Sequence, residues 1–360
     1  MKITRLLSVR PHACSQPWIF AFCLLLSAAL AGCEQNGNNE IIDDPAAALE
    51  ESGTLVVLNK SAYTAMIIDM ATWEILETLP TGVAPHEAAI SPDGSIAVAS
   101  NYGEYDGDPG HTLTVIDLEN RVVDREIDLG EFTRPHGLEW FDDGEHLAVT
   151  GEGQRSLVIL HVPTGEIVKV IPTDQERSHM VHLYAGNSKA IVPNVDSGTV
   201  SIIDLEAEEA IALVETGEGA EGIAISPDET EAWVTNRYED TVSILDLESF
   251  EVVETLDAGS FPIRANFTPD GSHVLVANMT GGDVSVFDAA TRAEVRRIDL
   301  EPDSDLNAGP VGMLKISDDR ILVAGTQTDR LYVIDLRNFE IIDHIQTGEE
   351  PDGMAFTLAN

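Results

Sequence analysis

Three histidines sit at the centre of short triplets that recur along the chain: Pro85-His86-Glu87, Pro135-His136-Gly137 and Ser178-His179-Met180. Four further triplets continue the series, Ala220-Glu221-Gly222, Pro262-Ile263-Arg264, Pro310-Val311-Gly312 and Pro351-Asp352-Gly353, so the middle position reads His, His, His, Glu, Ile, Val, Asp. With 10 histidines among 360 residues, seven random positions would hold about 0.2 of one, so chance is a poor account of three. Imidazoles with carboxylates suit zinc, copper or iron, and a partial ring of ligands leaves a side open for an exchangeable position. The same triplets also read as Pro-x-Gly turns whose middle residue is a variable, solvent-facing polar position. Residue type alone leaves both readings open.

Three residues beyond each middle position the series runs Ala89, Glu139, His182, Ala224, Asn266 and Ala355. If the copies are in register, Glu139 and His182 are neighbours one layer deeper, where a carboxylate can orient an imidazole or raise its pKa. A buried hydrogen-bonded pair is the alternative. The long stretch 102–111 (YGEYDGDPGH) offers Tyr102, Tyr105 and His111 to a ligand, and the connection 300–308 is extended as well. The carboxylates Glu104, Asp106 and Asp108 could attract calcium, although the EF-hand spacing is missing and a solvated acidic loop explains them equally. The chain has no G-x-S-x-G elbow, P-loop, H-E-x-x-H or C-x-x-C-H. Any enzyme here would have to assemble its site from several distant segments.

Such an assembly needs a scaffold, and the scaffold is written as a repeat. An apolar pair before Asp returns as MIID (66–69), TVID (114–117), SIID (201–204), SILD (243–246), SVFD (285–288) and YVID (332–335), with LVILH placing His161 in the third copy. A period in the low forties indicates a propeller or related array. The fifth copy shows four strand signals, at 222–226, 231–236, 241–246 and 251–256, and Pro-Asp turns such as 92–94, 227–228 and 269–271 join the first two strands as an antiparallel meander. The second strand ends in Asn59, Asn101, Asn194, Asn236 and Asn278, or in Gly151 and Gly325. Both residue types tolerate a left-handed exit from the strand. The first copy lacks an innermost strand and the segment 353–358 supplies an extra one, which predicts seven four-stranded blades closed by the C-terminal strand. In that ring Asp352, His86, His136, His179 and Glu221 form one contiguous arc at the channel mouth, facing Ile263 and Val311. The Val311 register is open by one residue, because that copy has an extra residue before Ile316.

The copies around AWVTN (232–236), with TVSILD downstream and starts such as EPDG (350–353), resemble the YVTN-type β-propeller repeat over about residues 54–360. That resemblance implies an all-β seven-bladed propeller similar to surface-layer-associated, lactonase-like and d1-haem propellers. Fold alone does not choose among such activities.

The N-terminal 32 residues combine Lys2, Arg5 and Arg10 with an apolar run at 18–30 too short to span a membrane comfortably, ending in LAGC at 30–33. This resembles a lipoprotein signal, with Cys33 as the lipid-bearing residue, 34–53 as a polar tether, and Glu34 favouring the outer membrane facing periplasm or cell surface. The three cysteines (Cys14, Cys23, Cys33) leave no pair for a disulfide in a mature chain. Twenty basic against 63 acidic residues, net −43, argue against nucleic-acid binding and suit either salt-rich surroundings or a cationic partner. The expectation is a monomeric envelope lipoprotein binding a ligand, a metal or an envelope protein on the face that carries the arc. Two alternatives stand beside it. One is a lactonase-like hydrolase or lyase with metal on His86, His136 and His179 and proton transfer by Glu221 or His182. The other is an envelope metal carrier or an accessory to a redox enzyme.

Overall fold

In a computed structural model, residues 52–358 are described; the signal segment, Cys33 and nearly all of the tether lie outside them. These residues form seven four-stranded antiparallel sheets and one short 3-10 turn, Glu152–Gln154. Blade five is built from Ala220–Ile225, Glu231–Asn236, Thr241–Asp246 and Glu251–Asp257, in order from the channel outward. The two middle strands are buried along almost their whole length, whereas the outermost alternates and exposes its acidic side chains. Middle strands are covered on both faces by neighbouring blades, so each interblade layer becomes a separate core. Between blades five and six it gathers Trp233, Val242, Ile244, Phe267, Val276 and Phe287.

Closure follows the expected route. The C-terminal strand Pro351–Leu358 pairs with Gly53–Asn59, matching Leu55 with Phe356 and Val57 with Met354, and completes blade one with Thr64–Asp69 and Ile75–Pro80. The seventh blade repeats the register of the others, with the same irregularity after the first residue of the innermost strand. Pro310 pairs with Gly325 and Met313 with Val323, as Ala220 pairs with Asn236 and Ile223 with Val234, so Val311 does belong to the middle position.

Two expectations about the repeat are corrected. The Asn column does not adopt the left-handed conformation; none of these Asn residues has positive φ. Their side chains clip blades together. Asn101 accepts from the Gly82 amide at 3.0 Å and donates to Thr112 and Thr114 of the next strand, and Asn278 does the same with Gly259, Asp283 and Ser285. The left-handed residue comes instead just before each innermost strand, at Ala84, Arg134, Arg177, Gly219, Phe261, Gly309 and Glu350. Nor is the triplet a solvent-facing turn. It opens the innermost strand in six blades and precedes the strand His182–Tyr184 in the fourth, and neighbouring strands converge there so tightly that a Cβ on Gly222 would lie 2.5 Å from the Ile263 carbonyl oxygen.

Candidate functional site

Seven innermost strands begin at one mouth of the channel and run to the other. The second residues of four of these strands and His179, which follows the isolated bridge Ser178–Asn194 just ahead of the strand His182–Tyr184, bring Asp352, His86, His136, His179 and Glu221 side by side. His86 is half-buried and the other four are buried. The mouth is a closed ionic and aromatic layer.

His179 is the centre of charge. Its Nδ1 is hydrogen-bonded to Glu152, and its Nε2 lies 3.3 Å from Glu221 Oε1. Burial opposes an imidazolium, yet the two carboxylates outweigh it and raise the His179 pKa. Glu221 also receives Arg237 at 2.5 Å, with Arg264 3.6 Å from its other oxygen, so despite burial its carboxyl is held down to about 2. Glu152 accepts the Tyr102 hydroxyl at 2.5 Å, with Arg177 at 3.7 Å. Asp352 pairs with Lys60 at 3.3 Å.

The other two histidines are neutral. Burial lowers His136, and the neighbouring charge of His179 lowers it further; its ring lies 3.6 Å from that of His179 and its buried Nδ1 has no partner among the described residues. Burial also lowers His86, whose Nδ1 is 2.8 Å from the Ala84 carbonyl oxygen. Tyr102 packs on it with ring centroids 4.4 Å apart.

This geometry gives no support to the expected bare metal centre on His86, His136, His179, Glu221 and Asp352. Among the described residues no group of three or more His, Cys, Asp or Glu side chains is placed to hold a metal ion, at the arc or in the loop bearing Glu104, Asp106 and Asp108. The arc's carboxylates face Lys60, Arg237 and Arg264, and both nitrogens of His179 are occupied, so its ligands are spent on one another. Glu221 is equally unsuited to proton transfer near neutral pH, because its carboxylate is stabilised by three cations.

Beside the histidines a cleft of about 410 Å³ is lined by Tyr102 and Tyr105, by Arg134, Arg155 and Arg177, and by the carboxylates Glu152, Glu176 and Asp196. The left-handed residues Arg134 and Arg177 throw their side chains over this cleft. The Arg134 guanidinium lies 5.0 Å above the Tyr102 ring and, among the described residues, bonds only the carbonyl oxygens of Glu104 and Tyr105; Arg177 lies 5.7 Å above Tyr105. Of the aromatic loop residues expected to meet a ligand, Tyr102 and Tyr105 therefore reach the mouth. His111 turns outward to Asp128 at 2.9 Å. Glu139 and His182 do meet deeper in the channel, at 3.1 Å; burial opposes but Glu139 raises the His182 pKa.

The residues that complete the site, Lys60, Tyr102, Glu152 and Arg237, all directly follow the Asn/Gly column. Reading that next column beside the triplets would have found them, since the end of the second strand faces the start of the first.

The molecule is thus a seven-bladed β-propeller with a histidine–carboxylate–arginine layer across one channel mouth. The family model of the cytochrome D1 heme domain matches residues 177–312. No curated protein matches. Among solved structures, a hydrazine synthase from Kuenenia stuttgartiensis is 19% identical, with 77% of this chain and 92% of that chain covered at a TM-score of 0.66. A functionally unknown protein from Desulfotomaculum acetoxidans is 18% identical over 86% and 99%, at 0.69. The dihydro-heme d1 dehydrogenase NirN is 15% identical over 84% and 74%, at 0.63. At these identities the structures share the fold with this chain, and the chemistry has to be argued from the mouth itself.

Proposed function

We propose that this propeller is a ligand-binding protein of the cell envelope, anchored by lipid on Cys33, whose mouth takes an iron tetrapyrrole bearing acidic side chains and which serves a redox enzyme. The observation that carries the reading is the state of His86. Its Nδ1–H is donated to the Ala84 carbonyl, so the Nε2 lone pair points away from that bond and has no protein partner among the described residues. Burial keeps the ring neutral, as a ligand must be. A bare transition ion asks the protein for about three or four donors, whereas haem iron already has four pyrrole nitrogens and asks for one or two. One available imidazole suits the second case.

The rest of the mouth fits the same group. Tyr102 provides a flat surface against His86, and Arg134, which meets backbone carbonyl oxygens and no carboxylate among the described residues, is a cation for a carboxylate side chain, with Arg177, itself 3.7 Å from Glu152 and from Asp196, beside it. The family match to the cytochrome D1 heme domain and the likeness to NirN support this choice over a lactonase-like one. When bound, the group would supply one-electron chemistry. The chain's own part would be to hold the iron through His86, orient the acidic side chains with Arg134, and keep His179 protonated in the same layer.

Titration with haemin tests this. The expected result is a saturable complex with the visible spectrum of histidine-ligated iron, lost in His86→Ala and weakened about tenfold in Arg134→Ala, as for removal of one charge-assisted contact. Absence of saturable binding, or an unchanged spectrum in His86→Ala, would overturn it.

A further inference from the structure

The channel is divided in two. Where five of the innermost strands carry glycine or methionine at their third residue, blades two and six carry Glu87 and Arg264, and these form an ion pair across the channel. Beyond this bar lies a separate cavity of about 350 Å³ that extends to the far ends of the strands, at Ile225, Phe267 and Lys315. It shares only the bar with the mouth.

The cavity contains a break in the repeat. The sixth position counted from the start of each triplet reads Ile90, Trp140, Leu183, Ile225, Phe267, Lys315 and Phe356, matched by the strand pairings. Six blades place a large apolar side chain there and the seventh places an ammonium. A lysine in a packing column forfeits the burial energy of the residue it replaces. In a chain with 63 carboxylates, Lys315 nevertheless makes no hydrogen bond or ion pair among the described residues. Lys315 is exposed and lines the cavity together with Met313, Leu314 and Phe267, and the partial burial of its ammonium there lowers its pKa. Every other charged lining group has a partner, since Glu87 pairs with Arg264 and Glu139 with His182. The cavity therefore carries one uncompensated positive charge beside apolar walls.

We infer that the far half of the channel is a second binding site, for a small organic monocarboxylate whose carboxylate meets Lys315 and whose apolar body lies against Phe267, Ile223 and Met313. The opposite charge and the hydrocarbon walls each answer one half of such a molecule. The His182–Glu139 pair faces the same space, 44% and 28% exposed, and supplies polar contacts at its side. This inference does not depend on the tetrapyrrole reading, because its residues lie on the other side of the Glu87–Arg264 bar.

Calorimetric titration of the purified full-length protein with hexanoate and benzoate, beside hexanamide and benzamide, tests it. The carboxylates should saturate one site and the isosteric amides bind at least tenfold more weakly, roughly the loss of one charge-assisted contact. Lys315→Met should cut carboxylate affinity by a similar factor, Lys315→Arg should retain most of it, and His86→Ala should leave it unchanged. Circular dichroism of each variant separates loss of binding from loss of fold. No saturable binding to folded wild type, equal binding of amide and acid, or an undiminished affinity in folded Lys315→Met would overturn the inference. Loss in His86→Ala equal to that in Lys315→Met would overturn it too, by moving the ligand to the mouth.

Discussion

Glu221→Gln should change the pH dependence of stability more than any surface substitution. The wild-type carboxyl is buried and lowered from its ordinary 4.5 to about 2 by His179, Arg237 and Arg264. At about 1.4 kcal/mol per pKa step, this corresponds to about 3 kcal/mol of folding stability. The sign is fixed by the direction. Because the folded value lies below the unfolded one, the contribution is complete above about pH 4.5 and disappears as pH falls towards 2. Glutamine never ionises, so the variant should be about 3 kcal/mol less stable at pH 7 and nearly equal to wild type near pH 2. His179 adds an opposite limb. Its raised pKa contributes stability below the ordinary imidazole value that is lost as pH climbs through the folded value, and without Glu221 that loss should begin at lower pH. Urea unfolding at a series of pH values, followed by tryptophan fluorescence and far-ultraviolet circular dichroism with coincident transitions, measures both limbs. A stability difference that is constant from pH 2 to 8 would refute the electrostatic account of the mouth.

Two further outcomes are expected. Gly222→Ala forces a Cβ to within 2.5 Å of the Ile263 carbonyl oxygen, so the innermost strands of blades five and six must separate; thermal melting should show a loss of roughly 2 kcal/mol or more, as overpacking against backbone requires. Cys33→Ser should move the protein from the membrane to the soluble fraction in a cell fractionation, since acyl chains contribute about 0.8 kcal/mol per buried methylene and the serine cannot carry them by a thioether; retention at the membrane would remove lipid on Cys33 from the proposed function.

The repeat was readable because blade packing imposes local rules. The predicted strands at 231–236 and 241–246 coincide with Glu231–Asn236 and Thr241–Asp246, since a strand covered on both sides must be apolar nearly throughout and a tight turn needs Pro, Asp or Gly. The adjacency of His86, His136 and His179 was likewise readable from their common position in successive copies. What those side chains do there was not. Glu152 stands 27 residues from His179 and Arg264 177 from Glu87, and nothing local marks either pair. Their meeting required the ring to bring the exit of one strand against the start of another.

Sequence by itself therefore determined the all-β class, the seven copies, their closure and the columns that face the channel, because these follow from periodic burial and turn chemistry that act over a few residues. Tertiary structure alone decided the charge states and the use of the site. It turned three histidines of identical position into one clamped cation, one buried neutral ring and one ring with a lone pair to offer, because desolvation and the placement of Glu152, Glu221 and Ala84 differ at each. It also set the Glu87–Arg264 bar that divides the channel, a contact that exists only because the ring brings blades two and six to face each other across the channel.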